Sequence, residues 1–306
     1  MLVAGGEVVV GGASGLIGSA LVAALQQHGR QVRRLVRPGT PPSPGPDTIA
    51  WDPAAGTIDA GALEGVRAVV NLAGKAVGPH RWTEAHRTEV LESRTRSTSL
   101  LARTIAALDN PPSVLVNASA SGYYGDRGDE ILTEAAPPGS GFLAELCQAW
   151  EAATAPSSEA GIRVAMLRTG IVLASGGGAL GAMLPIFKLG LGGKIGPGTQ
   201  WWSWIDLEDE VGAILHLIDH DQASGPFNLA APDPVTNAGF TTLLARALGR
   251  PAVLTVPKFM LRTALGSFAD EALLASQRLS PVKLLDSGYR FLSTDLLAAL
   301  KVMLAA

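Results

Sequence analysis

Three glycines at three-residue spacing, Gly12, Gly15 and Gly18, follow a short β-branched run at residues 8–10. An amphipathic stretch begins directly afterwards, so the predicted order is strand, glycine turn and helix. This order suits a dinucleotide pyrophosphate, because glycines permit a tight turn, a close backbone approach to phosphate and close helix packing. An ordinary glycine-rich strand-to-helix turn is the alternative interpretation. The residues predicted to contact the cofactor here are Gly12, Ala13, Ser14, Gly15, Leu16, Ile17 and Gly18.

The charges at the end of the second predicted strand, residues 31–36, indicate which dinucleotide is preferred. An acidic residue at this position would bind the ribose 2′-hydroxyl of NAD, whereas an arginine accommodates the 2′-phosphate of NADP. Residues 29–46 contain no Asp or Glu, but they contain Arg33, Arg34 and Arg37. Arg33 and Arg34 are interpreted as solvated strand residues, and Arg37 is the predicted phosphate ligand. NADP is therefore the predicted cofactor.

Small residues follow the strand predicted over 68–72, where they allow the backbone to pass beneath the cofactor ribose. The predicted cofactor contacts in this segment are Leu72, Ala73 and Gly74. Asp52 ends a short strand predicted over 48–51 and is expected at the adenine edge of the cofactor. An Asp-Pro pair equally indicates a turn, so both interpretations of Asp52 stay open.

Serine and tyrosine side chains cluster after the strand predicted over 114–116. Ligands of open α/β sheets bind at the carboxyl ends of the strands. Ser119, Tyr123 and Tyr124 could therefore hydrogen-bond a substrate carbonyl or hydroxyl, and Ala118 is expected beside the cofactor. A loop that packs only for its own stability is the alternative.

Trp201, Trp202 and Trp204 lie within four residues of one another. Grouped aromatic side chains indicate either the wall of a ligand site or the packing between two layers. We interpret the three as substrate contacts. His216 and His220 have a spacing that could hold a metal ion, but no third ligand lies near them in the sequence, so we predict no metal site.

Composition limits the class of protein. The 306 residues are 47% hydrophobic, enough for a large core in one or two domains, and the net charge of −3 gives no electrostatic footprint for nucleic acid or an anionic membrane. The single cysteine, Cys147, excludes an internal disulfide and is typical of a reducing compartment. No basic signal sequence precedes the first strand, and glycines interrupt the longest uncharged run, residues 169–187. We therefore expect a cytoplasmic protein without membrane or nucleic-acid partners.

Strands and helices alternate through the first 170 residues, with helices predicted over 83–108 and 142–157. This alternation predicts an α/β fold with a doubly wound parallel sheet of the Rossmann type. From residue 176 the composition changes, and a smaller, mostly helical C-terminal lobe is predicted. The expected division assigns residues 1–170 and 205–232 to the dinucleotide-binding domain, and residues 171–204 and 233–306 to the substrate lobe.

Segments along nearly the whole chain resemble one subfamily of the extended short-chain dehydrogenase/reductases, the atypical epimerase-like members with a C-terminal domain of unknown function. The tryptophan segment is specific to that subfamily. The resemblance implies an NADP-binding Rossmann core, a small C-terminal lobe and a cleft between them. The matching segments are 12–18, 71–74, 81–84, 119–125, 142–147, 150–151, 168–173, 190–193, 200–205, 228–237 and 277–281.

The resemblance also identifies a departure from the parent family, which uses a Tyr-x-x-x-Lys pair on the helix at residues 142–157. The tyrosine is the acid/base, and the lysine lowers its pKa and holds the ribose. Counting back from Glu151 places the tyrosine position at Leu143 and the lysine position at Cys147. Leu143 has no exchangeable proton and Cys147 has no fixed positive charge. The usual acid/base pair is therefore missing.

Two interpretations of function remain. In the first, which we prefer, an oxidoreductase or epimerase acts on a small polar substrate with a substitute proton donor. The candidate donors are Ser119, Tyr123, Tyr124 and Lys75. Arg94 is expected to anchor the cofactor or the substrate, and Arg168 is expected to anchor the cofactor. In the second, the protein binds NADP(H) without turnover and acts as a sensor. By analogy with extended relatives, a homodimer through the helices at 83–108 and 142–157 is possible.

Overall fold

The computed structural model describes residues 6–39, 45–78 and 81–305. Strands and helices alternate along the chain as the sequence predicts. The strands are β1 (Val8–Gly11), β2 (Val32–Val36), β3 (Thr48–Asp52), β4 (Thr57–Ile58), β5 (Ala68–Asn71), β6 (Val114–Ala118), β7 (Ile131–Leu132), β8 (Arg163–Thr169), β9 (Ile171–Ala174), β10 (Gly193–Ile195), β11 (Trp201–Trp202), β12 (Trp204–Asp206), β13 (Gly225–Leu229), β14 (Val235–Thr236), β15 (Leu254–Val256) and β16 (Arg278–Leu279).

Ten α-helices accompany these strands in the described residues. They are α1 (Leu16–Gln27), α2 (Glu84–Ala106), α3 (Phe142–Ala152), α4 (Ala155–Glu159), α5 (Gly178–Lys188), α6 (Leu207–Asp219), α7 (Asn237–Leu248), α8 (Lys258–Leu265), α9 (Val282–Asp286) and α10 (Leu296–Ala305). Short helical turns of other types cover Gly61–Leu63, Ser121–Tyr124 and Ala269–Leu273.

The large sheet has eight strands in the order β13-β8-β6-β5-β1-β2-β3-β4. Neighbouring strands are parallel except for β3 and β4, which are antiparallel. The register places Val8 of β1 beside Val32 of β2 on one side and Ala68 of β5 on the other. The chain reverses direction of winding between β2 and β5, at β1, which is where ligands bind in such sheets. The predicted doubly wound α/β fold is confirmed.

Hydrophobic layers cover both faces of the sheet because side chains alternate along each strand. Val8 and Val10 face one layer, which includes Leu21 of α1 and Ile214 of α6. Val9 faces the opposite layer, which is formed largely by α2 and the residues around β3. These two layers fix the carboxyl ends of the strands, where the predicted site residues lie.

Residues after β9 build smaller sheets and a third hydrophobic core. The strand pairs are β9 with β12, β10 with β15 and β11 with β14. The core of this region contains Trp202, Trp204, Phe240 and Leu300, so β11 and β12 pack against α7 and α10. The domain boundaries expected from the sequence stay a prediction.

One helix differs from the sequence prediction. The helix predicted over 142–157 divides into α3 and α4, because Pro156 has no N–H with which to continue the α3 hydrogen-bond ladder. Helix α6 begins at Leu207, and the Asp206 carboxylate caps it by accepting a hydrogen bond from the Asp209 N–H. Within the described ranges, no helix has both the length and the apolar character that crossing a bilayer requires.

Candidate functional site

The glycine turn between β1 and α1 has the geometry that its spacing predicts. Gly12 has a φ of 76°, which favours glycine, and a Cβ added there would lie 2.5 Å from the Leu72 carbonyl oxygen. A Cβ on Gly18 would lie 2.2 Å from the Gly12 carbonyl oxygen. The packing of the protein's own backbone therefore requires glycine at positions 12 and 18, whether or not a ligand is bound. Gly15 differs, because a Cβ there would meet only the Gly12 oxygen at 3.4 Å.

A cavity of about 450 Å³, here called the first cavity, opens above this turn. Its lining includes Gly15, Leu16 and Ile17 from the start of α1, and Leu72 from the end of β5. No side chain caps α1 and no acidic residue lies in its first turn. The free N–H groups at this helix start are suited to bind an anion. Ala13 is partly exposed and Ser14 is exposed in the same turn.

The charged residues near the edge of the sheet differ in whether other residues bind their charged groups. Arg33 forms an ion pair with Glu7, so it is a structural residue. Arg37 is exposed directly after β2 and has no ion pair within the described residues. The Asp52 carboxylate accepts hydrogen bonds from the N–H groups of Ala54 and Ala55. These bonds support the interpretation of Asp52 as a turn residue, one of the two that the sequence left open.

A cavity of about 260 Å³, the second cavity, lies beyond the carboxyl ends of β6 and β8. It meets the first cavity at Ile171, which lines both. Its wall includes Arg94 from α2, Leu143 and Cys147 from α3, and Glu271 from the C-terminal region. The two cavities are therefore adjacent, and together they could hold a dinucleotide and a small ligand.

The helix positions that match the parent family's catalytic pair face this second cavity. Leu143 and Cys147 both line it, and no tyrosine or lysine does so among the described residues. Burial raises the pKa of the Cys147 thiol to about 12, and the nearby Glu151 carboxylate adds to the effect. The thiol therefore stays protonated and uncharged at neutral pH.

Arg94 is the one cation in the wall of the second cavity among the described residues. Its guanidinium donates a hydrogen bond to the Lys75 carbonyl oxygen at 2.8 Å and lies 4.9 Å from the centre of the Trp150 ring. The buried Arg94 Nε has no hydrogen-bond partner in the described part of the chain. Burial lowers the pKa of Arg94, but a guanidinium remains charged in proteins. Gly74 makes room for it, since a Cβ there would lie 3.2 Å from the Arg94 side chain.

Trp150 is held beneath Arg94 by a buried polar network at the ends of β5 and β6. The Trp150 indole N–H donates to the Thr98 hydroxyl at 3.0 Å. The Asn71 side-chain amide donates to the Thr98 hydroxyl at 2.9 Å and to the Asn117 side-chain oxygen Oδ1 at 2.8 Å. The floor of the second cavity is therefore fixed by hydrogen bonds as well as by apolar packing.

Glu271 carries the one carboxylate in the second cavity, again among the described residues. Its Oε2 accepts a hydrogen bond from the Leu143 N–H at 2.8 Å, at the N-terminus of α3. Its Oε1 makes no hydrogen bond within the described residues. Gly141 provides the space, since a Cβ there would lie 3.0 Å from Oε2. Sequence reasoning missed Glu271 because it comes from a segment far along the chain, with no motif around it.

Three other predicted residues form a buried polar cluster away from the cavity linings. Arg168 makes a bidentate ion pair with Glu151, with both N–O distances 2.9 Å, and the Ser119 hydroxyl donates to the same carboxylate at 2.7 Å. Tyr124 is fully buried, donates to the Asn228 amide oxygen at 2.7 Å and accepts a bond from Arg168. Burial raises the pKa of Tyr124 to about 12.

Tyr123 and Lys75 are also outside the second cavity. The Tyr123 ring packs 3.4 Å from the Arg168 guanidinium and against the Tyr124 ring. Lys75 forms an ion pair with Glu89 on the exposed side of α2. Ala118 packs in a small hydrophobic cluster with Cys147 rather than in a cavity wall. The structure thus brings Ser119, Tyr123 and Tyr124 together around Arg168, outside the lining of the second cavity, and leaves Lys75 apart.

The three tryptophans divide between the two roles that the sequence left open. Trp201 and Trp202 line the second cavity. Trp204 is 0% exposed, belongs to the hydrophobic core and donates its indole N–H to the Asp233 carbonyl oxygen at 3.0 Å. His216 bonds to the Ser287 hydroxyl, and no group of three metal-ligating side chains exists in the described ranges.

Known proteins similar to this chain cover almost its full length. An epimerase family protein of Mycobacterium leprae is 46% identical over 284 residues, which are 93% of this chain and 91% of that protein. The crystal structure of the human epimerase family protein SDR39U1 (isoform 2) with NADPH matches with a TM-score of 0.88 and 36% identity, over 97% of this chain and 98% of that chain. A nucleoside-diphosphate sugar epimerase from Corynebacterium glutamicum matches with a TM-score of 0.78 and 38% identity, over 96% of this chain and 57% of that chain.

Two family models match successive parts of the chain. Residues 256–303 match a domain of unknown function, DUF1731. Residues 8–230 match the NAD dependent epimerase/dehydratase family, and this range contains all eight strands of the large sheet. The resemblance found in the sequence is confirmed: the chain belongs to the NAD dependent epimerase/dehydratase family, with a C-terminal DUF1731 domain.

Proposed function

We propose that the protein is an NADP(H)-dependent oxidoreductase or epimerase that acts on a small polar substrate in the second cavity. The observation that carries this proposal is that the two cavities share Ile171 in their walls. An anion site made of helix N–H groups lies at the first cavity, and the charged side chains of Arg94 and Glu271 line the second. The human relative whose structure contains NADPH supports the choice of cofactor.

The residues around the first cavity fit a dinucleotide. The open space beside Gly15 and the uncapped start of α1 allow the N–H groups of Leu16 and Ile17 to bind the pyrophosphate. Arg37 is free to bind a 2′-phosphate. The nicotinamide of the bound cofactor supplies or accepts a hydride, and the chain's own groups must bind the substrate and move a proton.

Arg94 and Glu271 are the charged groups that we assign to the substrate end of the site. Arg94 is fixed over Trp150 and faces the cavity, so it can hold a polar or anionic substrate group. Glu271 bonds to the backbone of Leu143, the position of the missing tyrosine, and its Oε1 is free to exchange a proton with the substrate. The proposed proton carrier is therefore Glu271 rather than Ser119, Tyr123, Tyr124 or Lys75.

The first experiment measures NADPH binding and turnover. We expect the protein fluorescence to report NADPH binding, and at least one class among carbonyl, enone and nucleotide-sugar compounds to oxidise the bound NADPH. Failure to bind NADPH would contradict the proposal. Tight binding with no oxidation by any compound would favour the second candidate function, a sensor of NADP(H). The absence of a lining tyrosine or lysine among the described residues is the observation that keeps this candidate in view.

The role of Glu271 is tested by Glu271→Gln, because glutamine keeps an oxygen for the Leu143 N–H but does not ionise. Loss of an acid/base group typically slows turnover by ~10²–10⁴-fold, and we expect a loss in that range with unchanged thermal stability. Asp270→Asn is the matched control, since Asp270 pairs with Arg262. Full activity in Glu271→Gln would remove Glu271 from the mechanism.

A binding measurement tests Glu271 independently of any substrate. A carboxylate beside the nicotinamide favours the positively charged ring of NADP⁺ over the neutral ring of NADPH. We expect Glu271→Gln to weaken the binding of NADP⁺ by roughly fivefold relative to the binding of NADPH, which corresponds to a Coulomb energy of about 1 kcal/mol. An unchanged ratio, with normal NADPH binding, would show that Glu271 only caps α3.

A further inference from the structure

The exposed apolar side chains of the molecule are concentrated in one place. Seven of the twelve large hydrophobic residues exposed in the described part of the chain lie in residues 186–191 and 253–260. They are Ile186, Leu189, Leu191, Val253, Leu254, Phe259 and Met260, and the exposure of Leu189, Val253 and Phe259 is 75%, 82% and 69%. Such a concentration marks an interaction surface rather than scattered surface residues.

These two segments are neighbours in space. β10 and β15 pair in parallel, with Gly193 beside Leu254. A Cβ on Gly190 would contact the Pro251 ring at 3.4 Å. α8 follows directly and contains no buried residue. We call this surface, residues 186–194 with 250–262, the basic apolar face.

The charge of this region is as uneven as its hydropathy. Residues 171–205 and 234–269 contain no Asp or Glu, although the whole chain has a net charge of −3. The same segments contain six basic residues, Lys188, Lys194, Arg246, Arg250, Lys258 and Arg262. Arg262 pairs with Asp270, and the other five form no ion pair within the described residues. The net charge of the whole chain therefore does not reveal that this region is basic.

Basic and apolar side chains alternate closely along the face. Lys188 precedes Leu189, Lys258 precedes Phe259, and Arg250 lies three residues before Val253. All of these side chains are exposed. The apolar members line none of the three cavities, the third of which, about 260 Å³, lies between Glu271 and Arg262. They are exposed and lie outside these cavities, so they suit insertion into the interfacial region of a bilayer.

We propose that the basic apolar face binds the surface of an anionic lipid bilayer. The apolar side chains would enter the boundary between headgroups and acyl chains, and the basic residues would contact the lipid phosphates. Long basic side chains can reach the headgroups while their methylene groups lie along apolar surface. A second copy of this chain is a poorer partner, because an isologous contact would bring unpaired cations against one another.

The test is flotation of the full-length protein with vesicles of phosphatidylcholine, alone or with one-third phosphatidylglycerol. We expect binding only to the vesicles with phosphatidylglycerol. High salt should release the protein, because the screening length falls to about 3 Å at about 1 M salt. Lack of binding, or equal binding to both kinds of vesicle, would overturn the proposal.

Two variants identify the surface. The first is a triple variant that combines Lys188→Gln, Arg250→Gln and Lys258→Gln. It should weaken binding to the anionic vesicles by roughly 100-fold, at about 1 kcal/mol per basic residue. Leu189→Ser with Phe259→Ser should also weaken it, with unchanged thermal stability because both side chains are exposed.

Arg290→Gln with Leu292→Ser is the matched control, a basic and an apolar exposed residue outside the face. We expect this control to bind vesicles like the native chain. Equal loss in the control would overturn the assignment of the surface. A different result would identify a second copy of the chain as the occupant of this face. In that case the native protein would be a dimer that does not bind vesicles, and Leu189→Ser with Phe259→Ser would dissociate it.

Discussion

The two cavities of the candidate site are built in opposite ways. Half of the residues that line the first cavity belong to the turn at residues 12–18, and half are glycine or alanine, so much of its wall is backbone. The second cavity is formed by side chains from α2, α3, β11 and the C-terminal region. A backbone site of this kind binds the part common to all dinucleotides. A site made of side chains can become specific for a different substrate through substitutions, while the fold and the turn at residues 12–18 stay the same.

The largest predicted effect concerns the packing behind the second cavity. Trp204→Ala should lower the free energy of unfolding by about 4 kcal/mol, because a fully buried tryptophan leaves a large void. Trp201→Ala should cost less than about 1 kcal/mol, since Trp201 lies in the cavity wall and is partly exposed. Denaturant unfolding of both variants measures the difference. Equal losses would show that both tryptophans are core residues.

The next prediction tests whether the first cavity depends on backbone access. Gly15→Val should weaken NADPH binding by roughly 100-fold, about 2.7 kcal/mol, because the side chain would fill the space for the phosphates. Its stability should be near normal, as the added Cβ meets no other atom closer than 3.4 Å. Fluorescence titration and thermal unfolding provide the two readouts.

Gly18→Ala is the contrasting control for Gly15→Val. Its Cβ would overlap the Gly12 carbonyl oxygen, so we expect a loss of stability of about 3 kcal/mol from overpacking. If Gly15→Val kept full affinity for NADPH, the first cavity would not be the pyrophosphate site.

A smaller effect is expected from the one side chain that should give the first cavity its cofactor preference. Arg37→Glu removes a charged hydrogen-bond donor to the 2′-phosphate, worth about 1.5–3 kcal/mol. NADPH binding should therefore weaken at least about tenfold, whereas NADH binding should change little. Parallel titrations with the two nucleotides measure this. An equal loss for both would remove Arg37 as the phosphate ligand.

The last prediction concerns an effect spread over several pH units, at a buried carboxyl group beside the second cavity. Glu210 is fully buried, its Oε1 accepts a bond from the Thr169 hydroxyl, and its Oε2 has no partner in the described residues. Burial raises the pKa of Glu210 to about 8. The folded protein therefore binds a proton that the unfolded chain releases above its ordinary pKa of 4.5.

The stabilising contribution of neutral Glu210 is fully present below that unfolded pKa, and it is lost as the pH rises toward the folded value. We expect the loss to be roughly 1 kcal/mol per pH unit in this window. Glu210→Gln should remove that part of the pH dependence, as measured by denaturant unfolding across the window. An unchanged profile would assign the pH dependence to other groups.

The sequence by itself determined the fold class and the turn at residues 12–18. The alternation of strands and helices and the glycine spacing are local features, and hydrogen bonds between near neighbours form the turn. Gly12 and Gly18 have the strained turn and the close packing that were predicted from the spacing alone.

Only the tertiary structure decided which side chains face the second cavity. Ser119, Tyr124 and Arg168 resemble active-site residues in the sequence, but Glu151 and Asn228 bind them in a buried network. Glu271 has no local signal, yet it reaches the backbone of Leu143 across a sequence separation of 128 residues. Burial and long-range pairing decide whether a polar side chain supports the core or meets a ligand. Neither is encoded in the spacing of neighbouring residues.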